Sequence, residues 1–434
     1  MAQPVRKVIK ESHPDINVKP FYTLIVDGNN LLRMCFRDDK INSKGEHYGG
    51  VFQFLLQLKI MLMKKSYDYV FVTFDDSNSG MLRYKLYNDY KANRDKTYSD
   101  YTGDEISDYQ RQFDEKLKKM QNYYFKGRKD RKNDIKVDER EYIDKYKVKE
   151  ITEKDVISVF GEERGKKLIK TAEKEVIDEN FQREREILMK YFNELYIRWI
   201  FHDTVEGDDF IAYYVLHKKP EERIVIMSSD QDLTQLISDT VCVYDHSIDK
   251  YISKDNIVRL KGLPVENILI KKVFCGDSSD NIKNINGVSE ARLFELMPEI
   301  KSRPVTIEEI KERAQKCIDE RIAEKKKPLK WHESIVNGVS NGNYDGDFYE
   351  INTKIIDLKH PLLTDEAIEE IDSMMYTPQD PEGRSFENLY QYIIDDGIDE
   401  LKSEKKFASF FEQFKILADK EINRFKKYMN NEKS

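Results

Sequence analysis

An α/β fold, with a parallel sheet covered by helices on both faces, follows from three observations. Short apolar runs rich in β-formers recur along the chain: FYTLIV (21–26), YVFVTF (69–74), YIRWIF (196–201) and RIVIM (223–227). Segments of helical spacing separate them, the alternation expected of strands joined by crossover helices. Three of the runs end in acid within a few residues, at Asp27, Asp75 and Asp230.

The elements follow in order. FYTLIV runs into the turn-like DGNN. After Gly49-Gly50, VFQFLLQLKIMLMKK carries apolar residues at 51, 52, 54, 55, 58, 60, 61 and 62, which predicts a helix buried on most sides. YVFVTF then ends at Asp75. Between Arg94 and Glu206 lie 111 residues of different character. Residues 126–150 hold ten basic and seven acidic side chains, which predicts a solvated helical or mobile insertion, and 163–200 has helical spacing. VEGDDF (205–210) opens the helical pattern DDFIAYYVLHK. RIVIM runs into SSDQD, and a further apolar stretch ends in GDSSDN (276–281). Beyond about 300 the pattern is mostly helical. The polar break VNGVSNGNYDGD (336–347) lacks the final glutamate of a calcium loop and predicts a turn.

Composition narrows the function classes. Apolar residues are 39% and charged residues 35%, no run approaches membrane-spanning length, and residues 1–20 lack the apolar core of a secretory signal. The expectation is a cytoplasmic protein without membrane contact. Four scattered cysteines form no C-x-x-C pair and seven histidines show no ligand spacing, which argues against zinc and for a reducing compartment. The net charge of −8 argues mildly against nucleic acid, unless acids gather at one site and bases at another.

The acids do gather. In a parallel sheet the C-terminal strand ends share one edge, where open α/β folds bind ligands. Asp27, Asp75, Asp230 and Asp232 fall there. Glu206 and Asp209, three apart at a helix start, share a face. Asp208 lies between them, and Asp277 and Asp280 follow an apolar run. Each acid alone fits a turn or helix cap. Together they would repel: at an effective dielectric near 20, two charges ~4 Å apart cost about 4 kcal/mol. Such a group must protonate or hold cations. All-oxygen ligation suits Mg²⁺, with Mn²⁺ as a substitute, and the number of acids suits two ions. Two such ions support in-line phosphodiester hydrolysis. The bases gather after Asp75: Arg83, Lys85, Lys91, Arg94 and Lys96 alternate with Tyr84, Tyr87 and Tyr90. They suit phosphate contacts, and the tyrosines suit stacking on unpaired bases.

VDGNN, TFDDSNSG, LYNDYKANRDK, VEGDDFIA, SSDQDLTQL and FCGDSSDNI, in this order, resemble the motifs of the flap-endonuclease or 5′-nuclease superfamily, nearest to its T-even phage ribonuclease H branch. The resemblance covers about 21–96 and 196–297, with a weaker echo at 350–403. It implies a PIN-like sheet with a helical arch insertion and a mostly helical C-terminal domain. The implied domains are a tail (1–20), a nuclease core (21–300) containing an enlarged arch (97–195) and a helix-hairpin-helix-like region (264–297), and a C-terminal domain (301–434). It also implies that Asp27, Asp75, Glu206, Asp208 and Asp230 surround one metal. Asp232, Asp277 and Asp280 would shape a second, with Asp209 close by. Lys91 and Arg94 would touch the scissile phosphate, and Arg83, Tyr90 and Arg33 would bind nucleic acid.

The implied activity is a Mg²⁺-dependent 5′→3′ exonuclease and flap endonuclease with ribonuclease H activity. Such an enzyme would remove RNA primers in phage replication as a monomer, in the host cytoplasm. Its substrates would be RNA–DNA hybrids, 5′ flaps and nicked duplexes. A sliding clamp or single-strand-binding protein could dock on SFFEQF (409–414) or on the basic N-terminus, although SFFEQF better suits an ordinary packed helix. Three features depart from the family: Ser289 and Ala291 stand in GVSEARL where a glycine and a lysine are usual, Met34 stands where an early arginine is usual with Arg33 just before it, and the insertion is long. A PIN-like endoribonuclease and a non-catalytic replisome scaffold are the alternatives.

Overall fold

The computed structural model of the chain describes residues 19–38, 40–76, 79–92 and 137–431. Six strands form one sheet: β1 (Phe21–Asp27), β2 (Tyr69–Asp75), β3 (Arg198–His202), β4 (Glu222–Met227), β5 (Val241–Asp245) and β6 (Lys250–Ile252). Their order is β3-β2-β1-β4-β5-β6; the first five are parallel and β6 runs antiparallel to β5. The third strand begins two residues later than the apolar run suggests.

Alternation along the strands divides the core in two. Leu24, Val26, Val70, Val72, Val225 and Met227 face one layer with α1 (Gly28–Cys35) and α2 (Gly49–Lys64). Ile25, Phe71, Ile224 and Ile226 face the other. Because both faces are covered, the strands read as continuous apolar runs. The short helix α3 (Met81–Leu86) follows β2. Then α4 (Val137–Lys147), α5 (Glu153–Phe160) and the 33-residue α6 (Glu162–Glu194) precede β3. The first two and the N-terminal half of α6 enclose a small apolar cluster of their own, Ile143, Val156, Leu168, Ile169 and Ala172. The C-terminal half of α6 enters the main core through Ile187, Leu188, Tyr191 and Phe192.

The second face is covered by α7 (Gly207–His217). Next come α8 (Glu266–Cys275) and α9 (Glu290–Leu296), joined by the GDSSDN loop, then α10 (Ile307–Ala323), α11 (Lys330–Asn337) and α12 (Phe348–Ile356). These pack around Phe274, Ile285, Leu293, Ile310 and Ile335. Segment 336–347 is largely turn between two helices.

The chain ends in α13 (Asp365–Met375), α14 (Phe386–Asp395) and α15 (Glu404–Asn431). The boundary expected at 300 has no counterpart in this packing. Leu389, Ile393, Phe407, Phe410, Phe411 and Phe414 share one apolar cluster with β1 and α2. The Arg198 guanidinium, 2.6 Å from the Glu421 carboxylate, ties α15 to β3. SFFEQF therefore lies within a packed helix with its phenylalanines buried, and does not offer them to a clamp. No helix among the described residues is long and apolar enough to cross a membrane.

Candidate functional site

Strand order reverses direction between β1 and β4, the switch point at which open α/β sheets bind ligands. Asp27 closes β1 there and caps α1, accepting from the Asn30 amide at 3.0 Å. Gly28 is required at the first helical position: a Cβ would lie 2.5 Å from the Phe74 ring and 2.7 Å from the Thr73 carbonyl. The two asparagines of DGNN knit the edge. Asn29 donates to the Asp75 backbone oxygen at 2.7 Å and to its carboxylate, and Asn30 Oδ1 accepts from Ser229 N at 3.0 Å and faces His246 Nε2. Asp27 also accepts from Ser228 Oγ at 2.8 Å, just past β4.

An open cleft of about 1380 Å³ lies over this edge. Asp27, Asp75, Glu206, Asp208, Asp230, Asp232, Asp277 and Asp280 all line it, as do Lys91 and Arg33. Two groups of carboxylates differ in character. In the first, burial pushes Asp27 up to about 7, with the charges of Asp230 and Asp75 adding to the rise. Burial also pushes Asp208 well up, reinforced by Asp230, Asp27, Glu206 and Asp75. In the second, Asp232, Asp277 and Asp280 each bring an oxygen within 4.8 Å of the other two. Among the described residues no other group of this kind occurs.

The GDSSDN loop is built for this position. Asp277 and Ile282 exchange backbone hydrogen bonds at 2.9 and 2.8 Å. Gly276 turns the chain at φ +71°, where a Cβ would sit 2.5 Å from the Ile282 carbonyl. Asp277 Oδ1 accepts from Ser279 N at 2.8 Å in a local turn, while Oδ2 accepts from Lys272 Nζ at 2.6 Å. Lys272 also contacts Asp232. Burial opposes ionisation of Asp277, but Lys272 and the Ser279 donors outweigh it and bring this carboxyl down to about 2. Burial carries Asp232 up to about 6 despite the same lysine.

Lys272 was not among the residues expected from the sequence. Its signal was its place in the last turn of α8, five residues before Asp277. Arg185 of α6 was also missed: it lines the cleft, donates to the Asp75 carbonyl at 3.2 Å and lies 4.3 Å over the Phe201 ring.

Lys91 stands at the wall between the two groups. Its ammonium contacts Glu206 and lies 4.0 Å from Asp280. Its backbone is left-handed at φ +53°, and its amide donates to the Asp280 carbonyl at 2.8 Å. Lys91 therefore belongs to a turn beyond α3, not to the helical face of Arg83. Arg33 is exposed, and its guanidinium lies 5.1 Å from the Phe181 ring. Arg94 and Lys96 lie outside the described residues.

Three expectations are corrected by the packing. Asp209 does not reach the cleft: its carboxylate accepts from Arg83 Nη2 at 3.0 Å and from the Leu362 amide at 2.9 Å, so its ligand positions are taken. Arg83 does not reach it either. It is buried between Asp209, Glu206 at 2.9 Å and the Ile355 carbonyl at 2.8 Å, where a phosphate has no access. Tyr90 is 2% exposed and donates to Glu206 at 3.0 Å, so no base can stack on its ring. Tyr87 is likewise buried, stacked on Tyr344 at 4.5 Å. All three brace the site from beneath.

The donor set fits hard divalent cations: oxygens only, in excess, with burial and like charge raising Asp27, Asp208 and Asp232, a cost that a bound cation would relieve.

Comparison with known proteins gives the same direction. A family model described as the 5′-3′ exonuclease N-terminal, resolvase-like domain matches residues 22–123 and 143–262. A 5′-3′ exonuclease of Mycoplasmopsis pulmonis is 38% identical over 98 residues, 22% of this chain and 33% of that protein. DNA polymerase I of Rhizobium leguminosarum is 35% identical over 95 residues, 22% of this chain and 9% of that enzyme. The chain thus spans a third or less of these curated relatives. Among solved structures, the 5′-exonuclease of T5 with bound zinc has a TM-score of 0.51 at 16% identity, covering 82% of this chain and 98% of that one. A bacteriophage T5 flap endonuclease solved with DNA and metal ions gives the same score and identity, covering 82% of this chain and 97% of that one. At such identity the likeness concerns the fold. With the family match spanning just over half of its residues, the chain belongs to the 5′-3′ exonuclease family.

Proposed function

We propose that the protein is a Mg²⁺-dependent 5′ nuclease that hydrolyses phosphodiesters with two ions, acting as a 5′→3′ exonuclease and flap endonuclease with ribonuclease H activity. The observation that carries this reading is the meeting of eleven carboxylates and four lysines in one cleft at the sheet's switch point. Asp232, Asp277 and Asp280 would hold one ion, and Asp27, Asp75, Asp208 and Asp230, with Glu206, the other. The ions would supply an activated water and steady the leaving oxygen.

The chain's own groups have separate tasks. Lys91 and Lys272 place two ammonium groups beside the acids, where they offset the charge of an incoming phosphate and the charge that develops in the transition state. Arg94 is proposed to join them. Arg83 and Tyr90 hold the Glu206 carboxylate from below and fix its direction. Arg33, on its phenylalanine, offers a guanidinium to the strand at the cleft's other wall.

The proposed substrates are RNA–DNA hybrids, 5′ flaps and nicked duplexes, and the proposed role is primer removal during phage replication. The test is incubation with a 5′-labelled RNA–DNA hybrid and a 5′-flap DNA, in Mg²⁺ and in EDTA. Short 5′ products that vanish in EDTA are expected. Tight binding of both substrates without cutting in Mg²⁺ would overturn the reading.

A further inference from the structure

His202 closes β3 at the junction of three of the acids. Its backbone holds one side. Its Cα pairs with that of Asp75 in the sheet register, and its carbonyl accepts from the Asp76 amide at 3.2 Å. Its side chain holds the other side. Nδ1 accepts from the Thr204 amide at 3.2 Å and from the Val205 amide at 3.2 Å, and meets the Thr204 hydroxyl at 3.0 Å. A ring nitrogen that takes amide protons must present its lone pair, so this imidazole is neutral and carries its proton on Nε2. Asp203 Oδ1 lies 3.7 Å from the same nitrogen, beyond hydrogen-bond reach. The ring rests on Phe210 of α7, with 5.8 Å between centroids.

These contacts supply a cap that α7 does not provide for itself. Glu206 is its N-cap residue, yet the Glu206 side chain accepts nothing from the first turn. It is turned to Arg83, Tyr90 and Lys91 instead. The bend just before it, 203–205, must still satisfy its own amides, and Thr204 and Val205 are 2% and 0% exposed, out of reach of water. His202 satisfies two of them from the strand side. Without an acceptor there, the bend would have to move to find one, because a buried amide is costly to leave unpaired. Glu206 and Asp208 ride on the turn that follows and would move with it.

We infer that His202 is a positioning residue of this site: through Nδ1 it fixes the bend at 203–205, and thereby the approach of Glu206 and Asp208 to Asp75. The inference rests on the nuclease reading above and deepens it. His202 itself stands outside the cleft lining, so it acts through these carboxylates and not on the substrate.

The test compares His202→Leu, His202→Asn and His202→Gln. The Asn amide oxygen lies two bonds from Cβ, as Nδ1 does, and can accept from the same amides; the Gln amide lies one bond farther out and cannot. The readouts are Mn²⁺ calorimetry without substrate and the kcat and KM of cleavage. The Leu and Gln variants should each weaken the Mn²⁺ event that Asp27→Asn removes, and lower kcat, by about 10- to 100-fold, the scale for an outer partner of metal ligands, with KM little changed. The Asn variant should stay within roughly threefold of wild type in both. The Mn²⁺ event at Asp232, Asp277 and Asp280 should hold in all three, which a general loosening of the fold would not spare. Wild-type Mn²⁺ affinity in the Leu variant, or Asn and Gln variants that behave alike, would overturn the inference. Should the Leu variant fail to fold, the two amides still decide. A protein that shows this order of Mn²⁺ affinities but cuts no substrate would overturn the nuclease reading and leave the positioning role standing.

Discussion

The two carboxylate groups sit in one cleft and are built on opposite electrostatic plans. Asp27 and Asp208 are half-buried and pushed up by burial and by the charges of Asp230 and Asp75, and Asp27 accepts from the neutral donors Asn30 N and Ser228 Oγ. Asp232 and Asp277 have a resident cation in Lys272, and Asp277 is held near 2. In the first group Glu206 already meets Arg83 and Lys91, and the other carboxyls wait for charge from solution. The second already carries one positive charge that an arriving ion must displace or share. The lesson is that one cluster can be tuned by its neighbours into an empty half and a half-filled one.

The largest test breaks the first group. Asp27→Asn should lower cleavage by a factor of about 1000 or more, with substrate binding in EDTA retained, since a carboxylate that would hold one ion is lost. Cleavage near wild type would remove Asp27 from the site.

Next comes the second group. Lys272→Ala should slow single-turnover cleavage by roughly 100-fold, the scale for one preorganised electrostatic partner. The same change should tighten the weaker of two Mn²⁺ sites in calorimetry, because the ammonium no longer competes. Weaker Mn²⁺ binding would contradict the half-filled description.

Arg83→Leu tests what lies beneath both. It leaves Asp209 and Glu206 buried without their guanidinium and should cost about 3–5 kcal/mol in denaturant unfolding. A loss below about 1 kcal/mol would show that Arg83 is dispensable as a brace.

The smallest test is pH. A folded Asp27 holds its proton to about 7, against about 3.9 when unfolded. The folded state then binds more protons, so metal-free stability should fall as pH rises from about 4 through 7. Added Mg²⁺ should offset the loss at pH 8. Cation affinity at the first group should weaken about tenfold per unit below pH 7 for each proton displaced. Calorimetry at pH 6, 7 and 8 checks this; a flat profile would mean that Asp27 is ionised without metal.

Much of this was readable from the chain. Acids placed at the ends of apolar strands identify the edge, because a parallel sheet leaves them no other place to go. Asp208 and Asp209 show where reading stops. They are neighbours in the first turn of α7, about 100° apart around the axis, and one faces the cleft while the other faces Leu362. That partner lies 153 residues away, and no local pattern announces it. Arg83 and Tyr90 were misread for the same reason: a basic, aromatic stretch after β2 looks solvated until α12 covers it. Lys272 went unread because its partner Asp232 lies forty residues earlier, beyond any local pattern. The aromatic run of α15 is equally silent about the α2 surface that buries it.

The long helix α6 carries a consequence of its own. Its 33 residues, at about 1.5 Å each, make a rod of roughly 50 Å. Glu184 clamps it near the C-terminal third, accepting from the Val51 amide at 2.8 Å and meeting His47. Lys174, Asp178 and Phe181 lie just outboard of this clamp, over the cleft. The rod is therefore a lever with a buried fulcrum and an unequal pair of arms. A tilt of about 5° moves its far tip by nearly 3 Å while the cleft-lining turns shift by about 1 Å. Whatever grips the outer end gains a mechanical advantage over the entrance to the acids.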